Sequence, residues 1–337
     1  MEQEAMYMTF VKWGILSTAN IAQTQLIPAI KRANNAEVVA IASRGRKAIE
    51  VAERLQIPKA YTSYEELLDD PEVDAVYIPL PNTLHKEWVK KAAERGKHVL
   101  CEKPASLTAE DTKEMVTVCH EYGVRFMEAF MYQFHPQHER VKEIIHSGEI
   151  GEVKLMKASF SFFMNEPEGN IRMDSKLGGG SIFDVGCYCI HSSRHLLESE
   201  PVTVGVKSTI HPKYNVETTS VVMMKMEGGV DVVFDCSFDM TFRNQYEIIG
   251  TKGTINVPTA YRPDVNGNIG VIIVEKGSVK REEKIFGEQY ILQVEHFSDA
   301  VLDPAIELKY PGELAILNMK VIEACYQSIE SGTFINL

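Results

Sequence analysis

The sequence predicts an α/β protein in two parts: a doubly wound parallel sheet at the N-terminus, then an α/β unit with a largely antiparallel open sheet. Three observations carry this. The N-terminal stretch through residue 130 alternates short apolar runs with helical patterns, and crossover helices of that kind join parallel strands. Beyond Phe134 several apolar runs follow one another without intervening helices, as antiparallel pairing permits. The length, 337 residues, exceeds the usual size of a single domain. The division is expected at residues 1–130 and 131–337.

In the first part, Phe10 to Leu16 reads as a buried strand, and Ile21 to Ala33 repeats apolar residues at helical spacing. Strands follow at Glu37–Ala42, Val73–Ile78, Lys97–Cys101 and Val124–Met127. Between them lie a polar helix ending at Leu55 and helices near Leu84–Arg95 and Ala109–Tyr122. In the second part a helix near Gln137–Ser147 precedes a long strand over Gly151–Phe163, and a helix covers about Val185–Leu197. Strands are expected at Val202–Ile210, Thr218–Met226, Val230–Phe238, Tyr246–Val257 and Gly270–Val274, with a hairpin turn at Glu227-Gly228-Gly229. Helices at Gln289–Val301 and Gly312–Ser331 close the chain.

A hydrophobic fraction of 45% and a charged fraction of 24% exclude a disordered or fibrous chain. The net charge of −12 argues against nucleic acid or an anionic membrane as partner, yet leaves room for an anionic cofactor held locally. No apolar run approaches the roughly 20 residues that span a bilayer. Met1 to Met8 lacks the pattern of a secretory leader, and Met8 offers an alternative start. Six cysteines without a C-x-x-C pair read as reduced thiols, so a cytoplasmic location is expected.

Four segments carry candidate chemistry. The loop after the first strand, Ser17-Thr18-Ala19-Asn20-Ile21-Ala22, puts small residues (Ser17, Ala19, Ala22) where a dinucleotide-binding turn needs little bulk. Ser and Ala are expected to exclude the positive φ that glycine allows, and an ordinary strand–turn–helix is the alternative. The second strand ends in Ser43-Arg44-Gly45-Arg46-Lys47, where an NAD site usually has an acid. Arg44 suits a 2′-phosphate, so NADP is expected ahead of NAD; a solvated charge or adenine stacking is the alternative.

Pro79-Leu80-Pro81-Asn82-Thr83-Leu84-His85 and Cys101-Glu102-Lys103-Pro104 end the next two strands. Ligands bind at such carboxyl ends, which nominates Leu80, Pro81, Asn82, His85, Glu102 and Lys103. A Lys there is expected to have a lowered pKa suited to proton transfer, with a structural ion pair as the alternative. In Gly178-Gly179-Gly180-Ser181-Ile182-Phe183-Asp184-Val185-Gly186-Cys187-Tyr188, Asp184 precedes Tyr188 by one helical turn. Either the pair exchanges a substrate proton, or it is a capping Asp beside a core Tyr. His191 with His195, and His135 with His138, have metal-ligand spacing but no convergent third ligand, so no metal is expected.

Gly96 to Pro104 (G-K-H-V-L-C-E-K-P), P-N-T-L-H, Met127 to Pro136 and the glycine-rich segment through Tyr188 occur in an order that resembles the Gfo/Idh/MocA family of NAD(P)-dependent oxidoreductases. The resemblance covers nearly the whole chain. It implies an N-terminal Rossmann domain, a C-terminal α/β domain whose sheet joins subunits into a homodimer or homotetramer, and Lys103 in the active site. Many members place a His four residues after the Asp, where this chain has Tyr188. That version resembles the branch of glucose–fructose oxidoreductase and of dihydrodiol and xylose dehydrogenases, which often use NADP. The resemblance implies hydride transfer at a sugar, polyol or dihydrodiol, with Tyr188 as acid/base, Lys103 lowering its pKa and Asp184 holding or relaying. Arg172 is expected to touch substrate or the cofactor carboxamide. A glycosidase that uses NAD transiently and a non-catalytic dinucleotide sensor are the rival functions.

Overall fold

The computed structural model describes residues 10–337, so the expectations about Met1 to Met8 lie outside the described residues. The first half runs β1 (Val11–Leu16), α1 (Ile27–Arg32), β2 (Ala36–Ala42), α2 (Lys47–Leu55), β3 (Lys59–Tyr61), α3 (Tyr64–Leu68), β4 (Ala75–Ile78), α4 (Asn82–Glu94), β5 (His98–Cys101), α5 (Ala109–Glu121) and β6 (Phe126–Glu128). Its six strands pair in parallel in the order β3-β2-β1-β4-β5-β6. Helices cover both faces, so β4 is buried at every position and reads as an unbroken apolar run. Ser63 and Thr108 start α3 and α5 by accepting the N–H of Glu66 and Asp111. The strand order reverses between β1 and β4, which opens a crevice at their carboxyl ends.

The second half comprises α6 (Pro136–His146), β7 (Val153–Phe163), α7 (Cys187–Leu197), β8 (Pro201–Ile210), β9 (Glu217–Met226), β10 (Asp231–Ser237), β11 (Asp239–Gly250), β12 (Thr254–Val257), β13 (Ile269–Lys276), β14 (Val279–Phe286), α8 (Gln289–Leu302), α9 (Gly312–Ser331) and β15 (Ile335–Asn336). Its nine strands are ordered β14-β13-β12-β11-β7-β10-β9-β8-β15, and the neighbours pair antiparallel except β7 with β10. The expected Glu227-Gly228-Gly229 turn joins β9 to β10, with Gly229 at φ +82°. The expected single strand Tyr246–Val257 is instead two, because the chain reverses at Gly250, whose N–H donates to Gly253 O at 2.9 Å.

The closing helices return to the first sheet. Trp13 of β1 packs against Phe297 of α8 with ring centroids 5.4 Å apart, and its indole N–H donates to Ser298 Oγ at 3.2 Å. Gly312 opens α9 against α5 and β6, where a Cβ would come within 2.7 Å of Val116 and 2.8 Å of Phe126. These contacts fix the second half beside the crevice of the first.

Candidate active site

A cleft of about 790 Å³ opens between the two halves. Its floor is the carboxyl end of the parallel sheet: Ser17 after β1, Pro79 to Asn82 after β4, and Glu102 to Pro104 after β5. The second half supplies Phe160 and Phe162 of β7, Arg172, Asp184 and Tyr188, and from further along Arg262 and Tyr290.

The loop after β1 corrects one expectation. Ser17 does take a positive φ, +145°, in a region L side chains rarely enter. Its Oγ accepts the Ala19 N–H at 2.9 Å, and Gln23 Nε2 donates to Thr18 O at 2.6 Å, so the turn is held from both sides. Helical backbone begins at Asn20 and runs through a π-helical stretch, Ala22–Leu26, into α1, so the positive end of this helix faces the crevice. Relief of about 1–3 kcal/mol of backbone strain in Ser17→Gly is offset by a lost hydrogen bond of about 0.5–1.5 kcal/mol and by glycine's extra unfolded-chain entropy of about 0.5–1 kcal/mol. Stability is therefore expected to change by less than about 1 kcal/mol. Urea unfolding midpoints test this, and a larger loss would contradict it.

Across the cleft, Lys103 Nζ donates to the Asp184 carbonyl oxygen at 2.6 Å and to its Oδ1 at 3.2 Å. Arg172 Nε donates to Asp184 Oδ2 at 2.6 Å. Burial opposes the ionised Asp184 carboxylate, but the two cations outweigh it and hold its pKa at about 2. Burial also opposes the Lys103 ammonium, yet Asp184, Cys187 and Glu102 raise its pKa overall. The expected lowering at Lys103 is therefore corrected: facing Asp184, it is a cation.

Asp184 is ionised in the folded chain down to about pH 2, whereas its unfolded carboxyl titrates at 3.8. The stabilisation is thus complete above pH 3.8 and fades as pH falls toward 2. It amounts to about 2 kcal/mol. Asp184→Asn should lose that much at neutral pH, with the gap from the unsubstituted chain narrowing in acid. Urea midpoints across pH check this, and a gap independent of pH would refute it.

The turn carrying Asp184 is a π-helical turn, Ile182–Gly186, leading into α7, and its side chain pairs with cations instead of capping a helix. Beneath it Glu217, 3% exposed, accepts the Ile182 N–H at 3.0 Å and the Tyr326 hydroxyl at 2.7 Å. Gly180 is required there, because a Cβ would lie 2.3 Å from Glu217 Oε1. Tyr188, one turn past Asp184, packs edge-on to Phe130 and Phe160 at 5.2 and 5.1 Å. Its hydroxyl meets Met131 Sδ at 3.5 Å, and Lys103 Nζ sits 5.0 Å from its ring centroid. Burial first, then Glu102, pushes the phenol pKa well up, with Arg262 acting the other way.

Residues 11–130 match the model of the GFO_IDH_MocA oxidoreductase family with its NAD-binding Rossmann fold, and residues 138–256 match the C-terminal domain of the same family. The chain belongs to the Gfo/Idh/MocA family. It is 38% identical to a D-xylose 1-dehydrogenase (NADP(+)) of Haloferax volcanii over 96% of this chain and 99% of that protein. It is 33% identical to a trans-1,2-dihydrobenzene-1,2-diol dehydrogenase of Xenopus tropicalis over 74% of this chain and 75% of the relative. A 3-ketoreductase from Actinomadura kijaniata, solved with NADP and TDP-benzene, superposes with a TM-score of 0.89 at 28% identity. That superposition covers 95% of this chain and 98% of the ketoreductase.

Within this Gfo/Idh/MocA chain the expected residues divide clearly. Ser17, Ala19, Asn20, Ile21, Leu80, Pro81, Asn82, Glu102, Lys103, Arg172, Asp184 and Tyr188 all line the cleft. Thr18 contributes its carbonyl to the loop's own bracing. Ser43 is buried and accepts the Ala48 N–H at 2.8 Å, holding the start of α2. Arg44 is exposed at the end of β2, and the pairing of Leu16 with Ala42 brings Ser43 and Arg44 alongside Ser17.

His85 corrects an expectation. Its ring is fully buried between the Leu80 carbonyl on the Nε2 side and the Pro104 and Ala105 carbonyls on the Nδ1 side, to one of which its N–H donates, so it sits between the two loops beneath the cleft and is not part of the cleft lining. The four metal-spaced histidines lie apart from the cleft lining; His191 meets the Tyr132 hydroxyl at 2.6 Å and His138 the Tyr246 hydroxyl at 2.9 Å. Phe160, Arg262 and Tyr290 line the same cleft from separate elements without a shared local pattern in the sequence, and Met131 joins them from within the Met127 to Pro136 motif, where no site role was expected of it.

Proposed function

We propose that this chain is an NADP-dependent dehydrogenase or reductase acting on a CH–OH carbon of a sugar, polyol or dihydrodiol, with Tyr188 as its acid/base. The observation carrying this reading is the convergence of Lys103, Asp184, Arg172 and Tyr188 on one cleft with the small-residue loop Ser17–Ile21. The fit to a dinucleotide rests on that loop, on a helix N-terminus facing the crevice, and on the strand-order reversal beside it. Ser17 to Ile21 would receive the pyrophosphate, Arg44 the adenosine end, and Leu80 to Asn82, Glu102 and Arg172 the nicotinamide end. When bound, the nicotinamide supplies the hydride donor or acceptor.

Tyr188 as a neutral phenol donates a proton to a carbonyl oxygen in the reductive direction and takes the hydroxyl proton in the oxidative one. The Lys103 cation over its ring favours the phenolate that the oxidative direction needs. Asp184 holds Lys103 and Arg172 in place, and Arg172 reaches the carboxamide or the substrate. The names of the xylose and dihydrodiol dehydrogenases and of the NADP-bound ketoreductase support the substrate class and the cofactor.

Six buried free cysteines support a cytoplasmic setting. Val221 and Met223, exposed on β9 of the open sheet, support a homodimer or homotetramer through that face. No helix among the described residues is long and apolar enough to cross a membrane. The test is a matrix of NADP⁺ and NAD⁺ against aldoses, inositols, dihydrodiols and an aryl glycoside, followed by the absorbance of reduced nicotinamide and by release of the aryl group. Reduction of NADP⁺ by one class is expected. Sugar release without cofactor reduction, or binding of NADPH with no turnover anywhere, would refute it.

A further inference from the structure

Arg262 lines the cleft from the segment after β12, and three contacts fix it there. Its Nε donates to Asp264 Oδ1 at 2.9 Å and its Nη2 to Oδ2 at 2.8 Å. Asn244 Oδ1 accepts the backbone N–H of Tyr261 at 3.1 Å and of Arg262 at 3.0 Å. Gln289 Nε2 braces Asp264 from α8 at 3.1 Å. The fork leaves Nη1 and part of Nη2 as donors. Tyr290, also in the lining, is largely buried, and its hydroxyl has no hydrogen-bond partner among the described residues. Beside them the wall is aromatic: Phe160 stacks on Tyr261 at 5.2 Å, with Phe242 edge-on to Phe160 at 6.5 Å.

Each of the three cations in the lining has a carboxylate partner, and Glu102, also in the lining, acts on both Lys103 and Arg172 as a third carboxylate. Arg262 is held by Asp264, while Lys103 and Arg172 share Asp184. A phosphate or carboxylate entering here would have to displace a carboxylate from its partner or lie against it, and like charges at contact are strongly unfavourable. Hydroxyl groups face no such conflict: they accept from a guanidinium that stays paired, and the C–H face of a saturated ring packs on aromatic carbon.

We propose that the substrate is an uncharged, polyhydroxylated ring. Arg262 and Tyr290 donate to its hydroxyls away from the reacting carbon, and Phe160 and Phe242 cover its C–H face. Sugars bearing phosphate, carboxylate or a nucleoside diphosphate are turned away. This rests on the oxidoreductase reading above and narrows it.

The test compares steady-state kinetics of the unsubstituted chain, Arg262→Met, Tyr290→Phe and Asp264→Asn at saturating NADP⁺. Substrates are neutral aldoses, their 6-phosphates, their uronates and a dTDP-linked sugar, with NADPH affinity read separately by fluorescence. The unsubstituted chain should turn over neutral rings at least about 100-fold more efficiently than charged ones. Arg262→Met should raise KM for neutral rings by about 10- to 100-fold, with kcat changed less and NADPH affinity unchanged. Asp264→Asn, which frees the guanidinium, should gain turnover on uronates.

Tyr290→Phe removes one hydroxyl and should raise KM severalfold, which keeps the proposal testable if Arg262→Met does not fold. A preference for phosphorylated or nucleotide-linked sugars, or unchanged KM in Tyr290→Phe and Arg262→Met, overturns the proposal while leaving the oxidoreductase reading standing. Absence of turnover on every substrate overturns both.

Discussion

Tyr188→Phe is expected to lower kcat by about 10²- to 10⁴-fold, the usual contribution of a positioned proton donor or acceptor. The ring is clamped by Phe130, Phe160, Tyr132 and Tyr261, so phenylalanine keeps the same packing and removes only the hydroxyl. That hydroxyl has no partner stronger than Met131 Sδ, so folding stability should change by less than about 1 kcal/mol. NADPH affinity should be unchanged, because the loop expected to hold the phosphates lies on the other half of the chain. Single-turnover rates with titrated NADPH separate these effects. A variant that keeps full turnover would remove Tyr188 from the acid/base role and leave Lys103 as the candidate.

Arg44→Asp should reverse cofactor preference. Arg44 sits at the end of β2, beside the loop after β1, where a 2′-phosphate would be met by a charge-assisted bond. Losing that bond is worth about 1.5–3 kcal/mol, or roughly 10- to 150-fold in kcat/KM for NADP⁺. The new carboxylate repels the phosphate and accepts from a ribose hydroxyl, so kcat/KM for NAD⁺ should hold or rise. The ratio of the two specificity constants is the measurement. An unchanged ratio would show Arg44 to be a solvated surface charge and move cofactor choice to Arg46 or Lys47.

The parallel sheet was legible because strands buried on both faces, such as Ala75–Ile78, show as continuous apolar runs. β3 and α3 were not: Lys59–Tyr61 is only half-buried and shows no apolar run, and the five residues of α3 are too few for a helical period to register. β14 carries Lys280-Arg281-Glu282-Glu283-Lys284 because it is an edge strand exposed to solvent, and charge there hides the strand signal while blocking edge pairing. The hairpin between β11 and β12 was missed although Gly250-Thr251-Lys252-Gly253 carries turn residues between two β patterns.

In the site, residues carried by local motifs were found: Lys103 by its Glu and Pro neighbours, Asp184 and Tyr188 by their helical spacing. Their electrostatics were not, because the charge state of Lys103 depends on Asp184, far along the chain. Arg262 and Tyr290 reach the cleft through the return of α8 and the segment before it, a tertiary event that leaves no pattern in either sequence neighbourhood.

Net hydride transfer from a carbinol carbon to NADP⁺ in this cleft is what the proposed reaction requires. The most direct measurement is to incubate the chain with NADP⁺ and a neutral aldose deuterated at the carbinol carbons, and to analyse the cofactor by mass spectrometry. Reduced cofactor carrying one deuterium is expected, in equal amount to the oxidised sugar. Loss of the sugar's deuterium to solvent, with the cofactor recovered oxidised and unlabelled, would contradict it.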